Sequence, residues 1–110
     1  MGRNPRSVSI PRGFARYLTA WWVHAEATGS GRPGRDILGT PGVAFEVKTG
    51  GEEKFSPPAA VRQAVKNAGE DLPIVMWFPP GVAEGSMDKV IAMLPGDRLM
   101  KLLTEAGYTP

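Results

Sequence analysis

The 110-residue sequence contains no cysteine and one histidine, His24. Disulfide staples, thiolate metal sites and a thiol nucleophile are thereby excluded, and a metal has to be held by oxygen or by that one imidazole. A chain without cysteine suits a reducing compartment. Long apolar runs are missing too, for no segment approaches the roughly twenty residues that span a bilayer. The first eleven residues carry Arg3 and Arg6 but no apolar stretch of signal-sequence type, so the expectation is a cytoplasmic, unexported protein with no membrane contact. Acids are scarce at one end. Residues 1–35 hold six arginines against Glu26 alone, whereas residues 36–110 hold seven Lys or Arg against ten acids.

What is present is enough for one small core: 42% of residues are hydrophobic and 22% charged, with a net charge of only +2. The arginine-rich end is the informative part of that balance. A guanidinium matches phosphate oxygens with a planar fork, so Arg3, Arg6, Arg12, Arg16, Arg32 and Arg35 point to a nucleic-acid-facing region. A basic terminus that merely keeps the protein soluble explains the charge equally well.

No internal repeat or low-complexity tract divides the chain, which reads as a flexible basic arm over 1–11 and a single domain over 12–110. Phe14, Tyr17, Leu18, Trp21, Trp22 and Ala25 recur at helical spacing and predict an amphipathic helix, capped by Ser9, with an aromatic stripe for the core or a dimer contact. Ile37–Leu38, the turn Gly39-Thr40-Pro41-Gly42 and Val43–Lys48 predict a β-hairpin. Ser56-Pro57-Pro58 starts a second helix that Gly69 ends. Leu72–Phe78 is a strand covered on both faces, Lys89–Leu94 a further short strand, and Asp97 caps a last helix with Leu99, Leu102, Leu103 and Ala106 on one stripe, closed by Gly107. The predicted order is αββαββα.

Glu46 and Lys48 stand two apart on a strand and share a face. If the Gly39–Gly42 turn folds the chain back, Asp36 comes beside Glu46, giving two carboxylates and one ammonium in a small volume. Such a pair repels unless a cation lies between, and Mg²⁺ is commonly held by one or two carboxylates with water and phosphate oxygens. Glu and Lys on the wet face of an ordinary strand give the same pattern.

The stretch from Arg35 to Lys48, with Asp36-Ile37, Pro41-Gly42-Val43 and Glu46-Val47-Lys48, resembles the core of the PD-(D/E)XK nuclease superfamily. More narrowly, with His24-Ala25-Glu26, Asn67-Ala68-Gly69 and Gly107-Tyr108, the chain from about Gly13 to Tyr108 resembles small archaeal-type Holliday junction resolvases of actinobacterial phages. This resemblance implies an α/β fold of restriction-endonuclease type with a central mixed sheet flanked by helices. It also implies a homodimer and Mg²⁺-dependent hydrolysis of phosphodiester bonds at branched DNA, with Mn²⁺ as a substitute metal. Asp36 and Glu46 are then the metal ligands and Lys48 the catalytic lysine, with Gln63 facing the site from the second helix. Arg12, Arg16, Ser30, Arg32, Arg35 and Lys66 would contact DNA. Two departures stand out. The family's N-terminal helix contributes a glutamate to the metal, but residues 1–25 contain no acid, which leaves Glu26 as the nearest substitute. The loop Ala27–Arg35 is about two residues shorter than usual and puts Arg35 where a glycine often precedes the aspartate. The alternative expectation is a catalytically degenerate nuclease-fold module that binds DNA or a host protein.

Overall fold

A computed structural model describes residues 5–29, 34–54 and 56–110. The chain runs α1 (Pro5–Leu18), β1 (Glu26–Ala27), β2 (Ile37–Leu38), β3 (Val43–Thr49), α2 (Pro57–Ala68), β4 (Leu72–Phe78), β5 (Ile91–Met93) and α3 (Gly96–Glu105), with 3-10 turns at Glu52–Lys54 and Glu84–Lys89. A mixed sheet has the order β3-β4-β5, in which β3 and β4 are parallel and β5 is antiparallel to β4. Helix α1 packs on one face of it and α2 on the other. The result is an α/β architecture with a mixed sheet between helices. Among the described residues, no helix is long and apolar enough to cross a membrane.

Helix α1 begins at Pro5, so residues 5–11 are its first half and not an arm; residues 1–4 lie outside the described residues. Ile10, Phe14 and Leu18, one turn apart, are buried and carry the helix onto the sheet. Phe14 meets Phe45 and Phe78 edge-on, with ring centroids 5.2 and 5.6 Å apart. Ser9 is therefore no cap, and Pro11 lies inside the helix, where it removes the amide that would bond the Ser7 carbonyl.

The helix ends at Leu18, earlier than the aromatic spacing predicts. Trp22 still packs edge-on against Phe45 at 5.9 Å, but Trp21 is 64% exposed and lies against Tyr17. The period carried past the helix end because Trp22 and Ala25 reach the same core from the turn that follows.

The expected hairpin forms differently. β2 pairs antiparallel with β1, Ala27 opposite Ile37, while β3 takes β4 as its ladder partner. Gly39 explains the choice: its φ is +81°, and a side chain there would collide with the His24 carbonyl oxygen, so the backbone of this turn is pressed against the segment leading into β1. The turn itself is closed by Val43 N–H on the Thr40 carbonyl (3.1 Å) and by the buried Thr40 hydroxyl donating to Val43 O (2.9 Å).

Helix α2 follows its sequence signals. The Ala59 N–H donates to Ser56 Oγ, prolines fill the first two positions, and Gly69 ends it with φ +59°. Ala60, Ala64 and Ala68 form its buried stripe, and their small side chains let the helix lie close over β3 and β4. Central β4 is covered on both faces, Val75 under α2 and Phe78 under α1. Helix α3 begins at Gly96 after Pro95, so Asp97 is its second residue and accepts from the neighbouring Arg98 N–H without capping the helix.

Candidate active site

Parallel pairing sets which β3 side chains share a face. Ala44, Glu46 and Lys48 lie with Pro73, Val75 and Trp77 under α2, while Phe45 and Val47 lie with Ile74 and Met76 under α1. Among the described residues no strand lies beside the other edge of β3 in this sheet, and Asp36 takes that place. Its Oδ2 accepts the Val47 N–H at 2.7 Å, substituting a side chain for a ladder partner.

From that edge the Asp36 carboxylate stands close enough to Glu46 for its charge to act on the Glu46 carboxyl. Glu46 is only 3% exposed. Burial pushes its carboxyl above the ordinary carboxylate range, and the negative charge of Asp36 adds to the effect. The Asn67 amide, whose Nδ2 donates to Glu46 Oε1 at 2.8 Å, and the Lys48 ammonium act in the opposite direction. Lys48 Nζ in turn donates to Gln63 Oε1 at 3.3 Å. Asp36, Glu46, Lys48 and Gln63 are thus brought to one place.

Asn67 is the participant that sequence reasoning assigned only to the helix stop. Gln63 and Asn67 are four residues apart and project from one side of α2, so the spacing from Gln63 was the available signal. The Asn67 amide also reaches the Gly34 carbonyl at 3.4 Å, tying the end of α2 to the chain just before Asp36.

Glu26 does not join the pair. It stands opposite Leu38 on the exposed face of the β1–β2 ribbon, because the strand period turns Ala27 and Ile37 inward instead. Among the described residues, no three His, Asp or Glu side chains are grouped to hold a metal. Two carboxylates nonetheless suit one hard divalent ion. Asp36 and Glu46 each hold a hydrogen bond from a fixed donor, and their mutual repulsion is of the kind a cation relieves.

Beside Asp36, a cleft of about 390 Å³ opens between β3 and α1, walled by Val47 and Thr49 on one side and by Ser7, Pro11 and Arg12 on the other. Where the resemblance calls for an acid on this helix, the wall carries a proline and an arginine. Arg12 is exposed and, among the described residues, has no ion-pair partner. Arg16 is also exposed and lies 3.4 Å from Glu84.

Arg35 is committed elsewhere. Its guanidinium donates to the carbonyls of Asn67 (3.4 Å) and Ala68 (2.8 Å) and pairs with Asp71 at 2.8 Å. It satisfies the carboxyl end of α2, so these donors are engaged within the protein. Lys66 is exposed on the last turn of α2. Ser30 and Arg32 lie outside the described residues. Comparison with family models, with curated proteins and with solved structures finds no match to this chain.

Proposed function

We propose that the chain is a metal-dependent endodeoxyribonuclease that hydrolyses phosphodiester bonds at branched DNA, as a Holliday junction resolvase-like homodimer of the cytoplasm. The observation that carries this reading is the meeting of Asp36 and Glu46, with Lys48 and Gln63 beside them. Asp36 and Glu46 would hold Mg²⁺ or Mn²⁺. The chemistry such an ion supplies is activation of water and neutralisation of phosphate charge.

The chain's own residues supply the rest. Val47 N–H and the Asn67 amide hold the two carboxylates in fixed directions, so little reorganisation is needed at the moment of reaction. Lys48, oriented by Gln63, faces charge that develops on the phosphate. Arg12 offers a fork to a backbone phosphate on the α1 side of the sheet, across β3 from Glu46 and Lys48. Arg16 and Lys66 add exposed cations for the flanking backbone.

A second reading, a nuclease-fold module that binds DNA or a host protein without cutting, is favoured by the wall of the cleft beside Asp36. Arg12 stands there in place of a third carboxylate. Incubation of a labelled four-way junction and a matching linear duplex with Mg²⁺ or Mn²⁺ decides between the two. Metal-dependent cutting of the junction in preference to the duplex is the expected result. Binding without cutting in either metal would establish the second reading.

A further inference from the structure

The cleft between α1 and the edge of β3 lies across the sheet from Glu46 and Lys48, and Asp36 is the one carboxylate that reaches it. Its volume of about 390 Å³ is within the roughly 300 to 1,000 Å³ of small-molecule sites. On the α1 wall the exposed Arg12 guanidinium has neither an ion pair nor a hydrogen bond among the described residues. Val8 and Pro11 from α1, with Ala27 and Val47 facing them, give the lining an apolar part. Two hydroxyls border it. Thr28 Oγ1 donates to the Asp36 carbonyl at 3.3 Å, which leaves its oxygen able to accept, and the Thr49 hydroxyl has no partner among the described residues.

We propose that this cleft holds a single nucleotide bearing one phosphate, the phosphate on Arg12 and the base on the apolar lining. Each part of the lining selects one part of that ligand. The guanidinium fork matches phosphate oxygens. The apolar lining and the hydroxyls suit a flat group with polar edges attached to that phosphate, which inorganic phosphate lacks. Asp36 limits the charge, because a second or third phosphate would meet its carboxylate, so in the absence of a divalent ion one phosphate binds better than three. A nucleotide stacked and paired in a duplex reaches such a cleft only by leaving the stack. The nucleotide is therefore either an unpaired one in a strand or a free nucleoside monophosphate. With a strand as its source the inference rests on the proposed function and gives the preference for branched DNA a physical basis, since branch points offer unpaired nucleotides.

One charge-assisted fork with a small apolar contact supports a Kd in the millimolar range, so amide NMR spectra of the whole chain, titrated in EDTA to about 20 mM ligand, test it. A deoxynucleoside 5′-monophosphate should shift the Thr28 and Thr49 amides saturably. The unphosphorylated deoxynucleoside, inorganic phosphate and the triphosphate should each bind at least several-fold more weakly. Arg12→Ala should weaken the monophosphate about tenfold, and Asp36→Asn should narrow the gap between monophosphate and triphosphate; the spectra themselves show whether each variant folds. Two DNA hairpins distinguish the sources. The same shifts from a hairpin with one bulged nucleotide, and not from a fully paired one, identify a strand; shifts from the free monophosphate alone identify a free nucleotide. No saturable shift at Thr28 and Thr49, inorganic phosphate binding as well as the monophosphate, unchanged binding by Arg12→Ala, or equal shifts from the two hairpins would overturn the proposal. Without metal nothing is cut, so this result is independent of whether the protein is a nuclease.

Discussion

The backbone N–H of Val47 donates to Asp36 Oδ2 at 2.7 Å, and that one bond sets the aspartate at the open edge of β3, where its charge acts on the Glu46 carboxyl. A strand edge is normally a row of unsatisfied amides and carbonyls that another strand fills. Here one of those amides is used to aim a carboxylate. Glu46, nearly sealed beneath Asn67, is the partner whose proton affinity responds.

Stability should therefore depend on Glu46 in a definite direction. Its carboxyl titrates above the ordinary value of 4.5, so between that value and its raised folded value the native state binds more protons than the unfolded chain. This contribution makes native stability fall as pH rises through that window, and the loss persists above it. Glu46→Gln removes the titration. Its melting temperature should exceed that of wild type at pH 7 to 8, with the difference closing as pH falls toward 4; thermal melts of the pair across pH test this, and a constant difference would refute it.

Asn67→Ala removes the fixed donor on Glu46 Oε1. Losing a hydrogen bond to a buried charged group costs about 1 to 3 kcal/mol, measurable by urea unfolding. It should also raise the Glu46 carboxyl further, moving the acid limb of any metal-dependent activity to higher pH. Asn67→Asp would place a third carboxylate beside the pair, and it should destabilise the protein more at neutral pH than in acid.

Much of this site was legible because its spacing is local. Glu46 and Lys48 share a strand face, and Gln63 falls at the right height on the helix that follows. Asp36 was placed correctly beside Glu46 for a different reason than expected. The sequence shows a turn between Ile37 and Val43 but not which strand each end will pair with, and the close approach of Gly39 to His24 decides that. The end of α1 was misjudged because Trp22 and Ala25 keep facing the core after the helical hydrogen bonds stop. Asn67 was read as part of a stop signal; its spacing of four from Gln63 put it on the site's side of α2, but the glutamate it meets lies twenty-one residues away.

Arg35 and Arg12 should separate cleanly in their effects. Arg35→Ala leaves the last carbonyls of α2 and Asp71 without their partner, and it should lower stability by about 1 to 3 kcal/mol. It should change DNA affinity little once the protein is folded. Arg12→Ala should leave stability within about 0.5 kcal/mol of wild type, as exposed substitutions do. It should weaken DNA binding and reduce the salt dependence of affinity by about one phosphate contact. Chemical denaturation and fluorescence anisotropy at two salt concentrations distinguish the two, and the reverse pattern would show that the guanidiniums had been assigned wrongly.

The most direct test of the central claim is single-turnover cleavage of a four-way junction in Mn²⁺ by wild type, Asp36→Asn and Glu46→Gln side by side, with binding measured on the same samples. Loss of cutting in both variants, with junction binding retained, is the result predicted if the two carboxylates act together on one ion. A Glu46→Gln variant that cuts as fast as wild type would contradict it.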